Sequence, residues 1–375
     1  MLSARSVGVR CPIYHEEMVV TRIAQLEATR VTVGVDTHRD AHVAVALDQL
    51  GRRLGQLEIA TTRAGYAQLL AWAESFGEVV VFAVEGCGCY GAGLARHLGA
   101  QHVRVVEVMR ANRQTRRRTG KSDPIDAEAA GRAVLAGEAA AAPKSGDDVV
   151  EMIRVLRVVR VTAMKARTQA INALRSLLVT APPELRDQLR ALSSVKLVRS
   201  AARFRPGAQD SPLAASKLAL RLLARRYQAL DDEIAELDAQ LEQLTAQASP
   251  QLIESFGVGP EAAAALLIAA GDNPGRLHSE AAFSMLCGSS LVAASSGKTI
   301  RYRLNRGGNR QANAALYRIV LVRMRYHQPT KDYVDRRTSE GKSKPEIIRC
   351  LKRYVAREVY TALKQTGEAN LARAV

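Results

Sequence analysis

Four acidic residues in the first third of the chain have the types and positions needed to hold divalent cations. Asp36 lies in the apolar run VTVGVDTHRDAHVAVAL, Glu85 ends the run VVVFAVE, and Asp123 and Asp126 lie in SDPIDAEAAGR. A buried carboxylate is costly unless it is paired or bound to a metal. Mg²⁺ prefers such oxygen ligands, and two ions can clamp the attacking and leaving oxygens of a phosphodiester displacement. The set therefore predicts a Mg²⁺ site for phosphoryl chemistry.

Each of these residues also has a simpler structural interpretation. An Asp at the end of a strand often forms a turn, and Asp123 is a good helix N-cap because Pro124 fits the first helical position. The spacing of three between Asp123 and Asp126 nevertheless puts both on one helical face. His38 and Asp40, in the turn after Asp36, can support metal ligands, although a plain turn role is the simpler interpretation for His38.

A serine pair opens a second group of residues in the last third of the chain. Ser295 and Ser296 begin SSGKTIRYRLNRGGNRQANAALYRIVLVRMR, which contains no acidic residue. A serine among cations can attack a phosphate while arginines stabilise the transition state. From the residues alone, a serine that only binds a phosphate or caps a turn is favoured. The basic side chains predicted to bind nucleic acid here are Lys298, Arg301, Arg303, Arg306 and Arg310.

The overall charge favours a polyanionic partner. The chain of 375 residues has a formal net charge of +17, and nucleic acid is the natural partner because the charge is clustered. A second cluster, RANRQTRRRTGKS, supplies the predicted contacts Arg113, Arg116, Arg117, Arg118 and Lys121. No apolar run has the roughly 20 residues of a membrane span, and the N-terminus lacks a signal-peptide core, which predicts a cytoplasmic protein. The five cysteines suggest neither a disulfide framework nor a metal site.

The elements that must position these residues follow from the hydrophobic pattern. Apolar runs between residues 31 and 108 predict the order βββαβαβ and a mixed sheet with packed helices. Leucine and isoleucine recur at coiled-coil spacing between 223 and 244, which predicts an antiparallel hairpin that also helps oligomerisation. The sequence FGVGP (256–260), opening an Ala-rich helix, resembles a helix-hairpin-helix element. The expected fold class is α/β plus all-α.

With these motifs in order along the chain, the sequence resembles transposases of the bacterial insertion-sequence "one-ten" family, which are related to Piv-type DNA invertases. The resemblance covers about residues 30 to 362 and rests on several stretches. These are GVDTHRDAH, AVEGCGCYG, RRRTGKSDPIDAEAAGR, FGVGPEAAAALLIAAGD, ASSGKTIRYRLNRGGNRQANAALYRIVLVRM and GKSKPEIIRCLKRYVAREVY.

The resemblance implies a domain order. It implies an N-terminal extension (1–29), an RNase H-like or RuvC-like domain (30–145), a helical coiled-coil segment (146–247) and a C-terminal helical transposase domain (248–375). The RuvC-like domain would carry a DEDD tetrad, which in this chain is Asp36, Glu85, Asp123 and Asp126. The C-terminal domain would carry the catalytic serine directly before Gly297. That residue is Ser296, and Ser295 is held in reserve.

The implied activity is site-specific recombination. The serine would form a phosphoserine link to DNA, with a Mg²⁺-bound tetrad assisting, and strand exchange would pass through a Holliday-junction-like intermediate. A structured noncoding "bridge" RNA from the element would pair with donor and target DNA, so that base pairing supplies the sequence choice. Synapsis implies a homo-oligomer, which is at least a dimer and in the synaptic complex a tetramer. The protein would associate with the nucleoid when active.

Three other functions compete with this interpretation. A Mg²⁺-dependent RuvC-like junction resolvase or nuclease would use water as the nucleophile and would not need the serine. A binding module would use the carboxylates only as caps and turns. A sugar-kinase-like ATPase is suggested faintly by GVDTHRDAH, but no convincing second phosphate loop follows, and the basic C-terminal third would be unexplained.

Overall fold

The computed structural model of the chain describes residues 29–108, 122–208, 210–273, 276–299 and 302–374, with side chains to residue 366. Several predictions fall outside these ranges: the N-terminal extension up to residue 28, the basic residues between 110 and 121, and Arg301. The chain divides into two compact units, Met1–Lys144 and Ser145–Val375. Each unit is described by itself.

A five-stranded mixed sheet forms the centre of the first unit. Its strands are β1 (Arg30–Thr37), β2 (Ala41–Leu47), β3 (Arg53–Ala60), β4 (Glu78–Glu85) and β5 (Val105–Val108). Their order across the sheet is β3-β2-β1-β4-β5. Strand β2 runs antiparallel to both β1 and β3, whereas β4 runs parallel to both β1 and β5. The predicted mixed α/β architecture is therefore confirmed.

Helices cover both faces of this sheet. Helices α1 (Arg63–Glu74) and α2 (Ala92–Ala100) pack on one face, where their leucines join Val31, Val33 and Val35 in one core. Helix α3 (Asp123–Leu135) packs on the other face, against Val45, Leu47, Val81 and Ala83. Because side chains alternate along a strand, residues 32, 34 and 36 of β1 face α3, and so do residues 81, 83 and 85 of β4.

Two glycines let α3 approach the sheet closely. A Cβ atom on Gly34 would lie 1.9 Å from the backbone oxygen of Ala127, and one on Gly131 would lie 2.9 Å from Leu47. No side chain fits at Gly34 unless the helix moves outward. The helix backbone therefore lies directly on β1, two residues before Asp36.

An antiparallel pair of long helices begins the second unit. Helix α4 (Val149–Val179) pairs with α7 (Pro212–Ala248), and the short helices α5 (Pro183–Leu189) and α6 (Ser194–Ala202) connect them. Ion pairs join Arg160 to Asp238 and Arg167 to Asp231, so the two helices run in opposite directions. All six predicted seam residues of α7 are buried or half-buried: Leu223, Leu230, Ile234, Leu237, Leu241 and Leu244.

The rest of the second unit is a helical layer with one small hairpin. Its helices are α8 (Pro250–Glu254), α9 (Pro260–Ala270), α10 (Glu280–Leu286), α11 (Arg310–Tyr326), α12 (Gln328–Ser339) and α13 (Lys344–Ala374), and its strands are β6 (Leu291–Ala293) and β7 (Tyr302–Leu304). Helix α9 is the centre of the core, because all of its alanines and leucines share one buried cluster with apolar residues of α4, α7, α10, α11 and α13. None of the helices within the described ranges is long and apolar enough to cross a membrane.

Candidate metal centre and serine hairpin

Asp36 and Glu85 come together because they end neighbouring parallel strands. The last paired residues of β1 and β4 are Val35 and Val84, and each acid follows directly. Both side chains face α3 by the alternation of their strands. Asp36 is buried, and Glu85 is half-buried. The Thr37 hydroxyl donates a hydrogen bond of 2.8 Å to the Glu85 backbone oxygen, which ties the two strand ends together.

Helix α3 brings the other two acids to the same place from above the sheet. Ser122 is the N-cap residue, and Asp123 is the first residue of the helix. The prediction that Asp123 caps the helix is therefore wrong by one residue, and its carboxylate is not used as the cap. Asp126, one turn further on, is buried, whereas the Asp123 side chain is 48% exposed. Both acids lie in the first turn, where the helix dipole favours negative charge.

The electrostatics of Asp36 show that the other three carboxylates lie close enough to act on it. Burial raises the pKa of the Asp36 carboxyl, and the charges of Glu85, Asp126 and Asp123 raise this pKa further, while His38 lowers it. Like charges at short range disfavour ionisation. An ion of opposite charge would relieve this repulsion, and carboxylate oxygens from several elements are the ligand set that Mg²⁺ takes in phosphoryl-transfer sites. The charge of this cluster therefore suits a divalent metal, and the ligand atoms close enough to share one ion are those of Asp36, His38 and Asp123.

His38 contacts two of the acids, which favours a role in supporting metal ligands over a plain turn role. Its Nε2 atom lies 3.2 Å from Asp36 Oδ2 and 3.4 Å from Asp123 Oδ1. One ligand atom from each of these three residues lies within 4.8 Å of the others, which is close enough to share an ion. The imidazole can be a ligand itself, or it can orient the two carboxylates by hydrogen bonds. The spacing Asp-x-His was the available signal for this residue.

The segment after Glu85 turns sharply away from the sheet. Gly86 has a φ of +72°, a conformation that favours glycine. Cys87 then returns to the core, where burial raises the pKa of its thiol to about 12. A metal-binding cysteine must be a thiolate, so this thiol is poorly suited to the role. Cys89 is exposed, and its thiol donates to the Gly86 backbone oxygen.

The predicted nucleophile lies at the tip of a β-hairpin in the second unit. Strands β6 and β7 pair antiparallel, and the same register continues to a bridge between Ser296 and Thr299. Ser296 and Thr299 exchange backbone hydrogen bonds of 3.2 and 3.1 Å around the turn residues Gly297 and Lys298. Gly297 has a φ of +55°, as the first turn residue of a type II′ hairpin requires. Ser295 and Ser296 are both exposed, so either hydroxyl can meet a substrate.

The basic residues of this segment separate into two groups. Lys298, Arg303, Arg306 and Arg310 are exposed. Arg323 does not join their surface, because it is buried, donates to the Phe256 backbone oxygen at 2.8 Å and pairs with Glu358 at 2.6 Å. Its role is to hold helices together. The sequence pattern alone could not separate it from its neighbours.

The glycine turn before α9 also differs from a simple phosphate-binding loop. Gly259 precedes the helix, and Glu261 lies in its first turn. Three arginines surround the Glu261 carboxylate: Arg157 at 2.8 Å, Arg160 at 3.3 Å and Arg318 at 3.7 Å. This acid already occupies the positive end of the helix. The helix-hairpin-helix interpretation of this segment stays a prediction.

Comparisons with known proteins agree with the two regions. A transposase model for the DEDD domain of IS110 elements matches residues 33–183. A second model, "Transposase IS116/IS110/IS902 family", matches residues 250–335. The first match contains all four carboxylates, and the second contains both serines. None of the curated proteins compared with the chain matches it.

Proposed function

Because the chain belongs to the IS110 family of transposases, we propose that it recombines DNA through a covalent link to Ser296. The Ser296 Oγ attacks a DNA phosphorus atom, the hydroxyl loses its proton, and the bond from phosphorus to the leaving strand oxygen breaks. That oxygen gains a proton. Attack by an exchanged strand end then reverses the step and releases the serine. Since one phosphoester replaces another, neither step needs an external energy source.

The convergence of Asp36, Glu85, Asp123 and Asp126 on one side of the sheet is the observation that carries the proposal. Burial and the charges of the other three carboxylates raise the pKa of Asp36, and a bound cation would relieve this repulsion. Mg²⁺ held by these residues would stabilise the charge that develops on the phosphate oxygens. His38 would orient Asp36 and Asp123 by its contacts with both. We propose that this centre and Ser296 serve one reaction.

Exposed cations would hold the nucleic acids in this reaction. Lys298 beside Ser296, and Arg303, Arg306 and Arg310 after it, would bind DNA phosphates. We further propose a structured guide RNA, whose base pairing selects the donor and target, and a dimer that forms a tetramer at synapsis. Helix α4 is rich in arginine, but Arg157, Arg160 and Arg167 pair with acids of the same unit, so these three are not assigned to the RNA contact. The reaction would take place in the bacterial cytoplasm, at the nucleoid.

Covalent capture tests the proposal directly. The full chain, Mg²⁺, labelled donor and target DNA, and RNA transcribed from the flank of the element are mixed, denatured and separated on a gel. A protein–DNA band that survives denaturation is expected. Ser296→Ala should remove this band, whereas Ser295→Ala, its matched neighbour, should keep it.

Two other results of this assay would contradict the proposal. A band lost only in Ser295→Ala would move the nucleophile by one residue. DNA cleavage without any adduct, unaffected by either substitution, would favour the water-using nuclease. The nuclease is the second candidate function, because all four carboxylates lie in the first unit and a nuclease needs nothing from the serine hairpin.

A further inference from the structure

A basic cavity lies at the base of the serine hairpin, where β7 leads into α11. Its volume is about 400 Å³, which is within the range of ligand pockets. The walls include Arg306, Arg310, Asn313, Tyr317 and Lys352. The first four come from the hairpin's exit loop and from α11, whereas Lys352 comes from α13. None of the residues lining the cavity is acidic.

A close contact between two glycines forms this cavity. A Cβ atom on Gly308 would lie 2.4 Å from the backbone nitrogen of Gly288, so no side chain fits there. Gly288 itself has a φ of +63°. The backbone N–H of Asn309 donates to the Leu286 backbone oxygen at 2.6 Å and fixes the exit loop on the end of α10. Gly308 therefore lets the exit loop lie directly against Gly288 in the cavity wall.

Lys352 is held in the cavity by a fixed amide. The Asn313 side-chain nitrogen donates to the backbone oxygens of Cys287, at 2.8 Å, and Gly288, at 3.1 Å. These bonds turn the Asn313 oxygen toward Lys352, whose ammonium donates to it at 3.0 Å. An ammonium group has three protons, and this bond uses one of them.

The cations of the cavity lack acidic partners. Within the described part of the chain, no carboxylate lies within ion-pair distance of Arg306, Arg310 or Lys352. Lys352 is half-buried, and burial, together with the charge of Arg349, lowers the pKa of its ammonium. A half-buried charge without a counter-ion is costly. The opposite arrangement holds at Glu261, where the arginines of the same unit do have a carboxylate.

We propose that this cavity binds a backbone phosphate of the DNA strand that Ser296 attacks, with Lys352 and Arg310 as its ligands and Asn313 positioning Lys352. The inference rests on the proposed function. The hairpin connects Ser296 at its tip to the cavity at its base, since β7 ends at Leu304 in the cavity wall. Leu304 pairs with Leu291, five residues before Ser296, which is about 16 Å of extended strand. The cavity would therefore hold a different phosphate from the one attacked.

Salt-dependent DNA binding tests the cavity without any cleavage. Binding of a fluorescent DNA duplex of arbitrary sequence is measured without Mg²⁺ over a range of salt concentrations. Lys352→Gln should weaken binding severalfold and lower the slope of log affinity against log salt by about 1. The ratio of the parent's DNA affinity to that of the variant should then fall by roughly fourfold between 50 and 200 mM salt. Lys364→Gln, an exposed change of equal charge on the same helix, is the matched control and should keep the parent slope.

Each remaining outcome decides the question. A parent-like slope in a folded Lys352→Gln protein would overturn the proposal, and so would an equal loss in Lys364→Gln. A loss seen with single-stranded RNA but not with duplex DNA would overturn the assignment to DNA. If Lys352→Gln does not fold, the exposed Arg310→Gln carries the same expectation. Because no cleavage is involved, a missing serine adduct would count against the proposed function and leave this test unaffected.

Discussion

Two acidic sites of the protein, one in each unit, have opposite electrostatic surroundings. In the first unit, burial and the charges of three nearby carboxylates raise the pKa of Asp36. In the second unit, Glu261 is surrounded by three arginines that come from α4 and α11. One cluster has an excess of like charge, and the other has its charge compensated within the fold.

This difference separates a binding site from a structural contact. A compensated carboxylate has its partners in the protein, so its main contribution is to stability. An uncompensated cluster reduces stability until an external ion binds. Removing a carboxylate charge should therefore impair activity at the Asp36 cluster and stability at Glu261. The position of Trp72, the only tryptophan of the chain, allows the two to be measured apart, since it packs in the core of the first unit.

The largest effect is expected from Asp126→Asn. Loss of one ligand should lower recombination by roughly a thousandfold, since a catalytic metal supplies several kcal/mol and each 1.4 kcal/mol is a factor of ten. Without Mg²⁺, the free energy of unfolding reported by Trp72 fluorescence should stay equal or rise, because one charge that repels Asp36 is gone. Nucleic-acid binding should be retained.

The matched control for this change is Glu74→Gln, an exposed acid of the same unit. It should leave recombination unchanged. Mg²⁺ should raise the unfolding midpoint of the parent and of Glu74→Gln but not that of Asp126→Asn, since a ligand stabilises the state that binds it. Normal recombination by Asp126→Asn would remove Asp126 from the metal centre.

A second effect concerns how the centre is assembled. In Gly34→Ala, the new methyl group would meet the Ala127 backbone oxygen and push α3 away from β1. Such overpacking costs about 1–3 kcal/mol, and the Trp72 transition in urea should shift to lower concentration. Recombination should fall too, because α3 carries Asp123 and Asp126. Gly99→Ala, where nothing lies within 4 Å of the new atom, should be neutral or stabilising. Equal behaviour of both variants would contradict the close packing of α3.

Gly34 also shows where sequence reasoning reaches its limit. The succession of strands and helices along the first unit follows from local patterns, because apolar runs and turn residues are neighbours in the chain. The need for glycine at 34 depends on a helix that begins about 90 residues later, and no local pattern contains this contact. The same holds for Arg323, whose partners Phe256 and Glu358 are far away in sequence. For His38, the sequence shows the nearby Asp36, but it does not show the contact with Asp123, which comes from a helix far along the chain.

A third, somewhat smaller effect is expected in the second unit. Glu261→Gln leaves the largely buried Arg157 without its carboxylate and removes one of the two carboxylates that Arg160 contacts. Charged hydrogen bonds contribute about 1.5–3 kcal/mol, so a loss of about 2 kcal/mol is expected. It should appear in the helical signal of circular dichroism, while the Trp72 transition stays in place. Glu254→Gln, an exposed acid on α8, is the control. A shift of the Trp72 transition alone would reverse the expected contrast between the units.

The smallest effect is expected on DNA binding. It compares arginines of the second unit that have a carboxylate partner with Arg306, which has none within the described residues. Arg306 is exposed and lines the basic cavity, so Arg306→Ala should weaken DNA binding severalfold and lower the salt slope by about 1. The loss should be equal on two duplexes of unrelated sequence, because a phosphate contact reads no bases. Arg225→Ala, an exposed arginine of α7, controls for net charge. An unchanged slope in Arg306→Ala would mean that this arginine faces solvent, and the cavity would then depend on Lys352 and Arg310 alone.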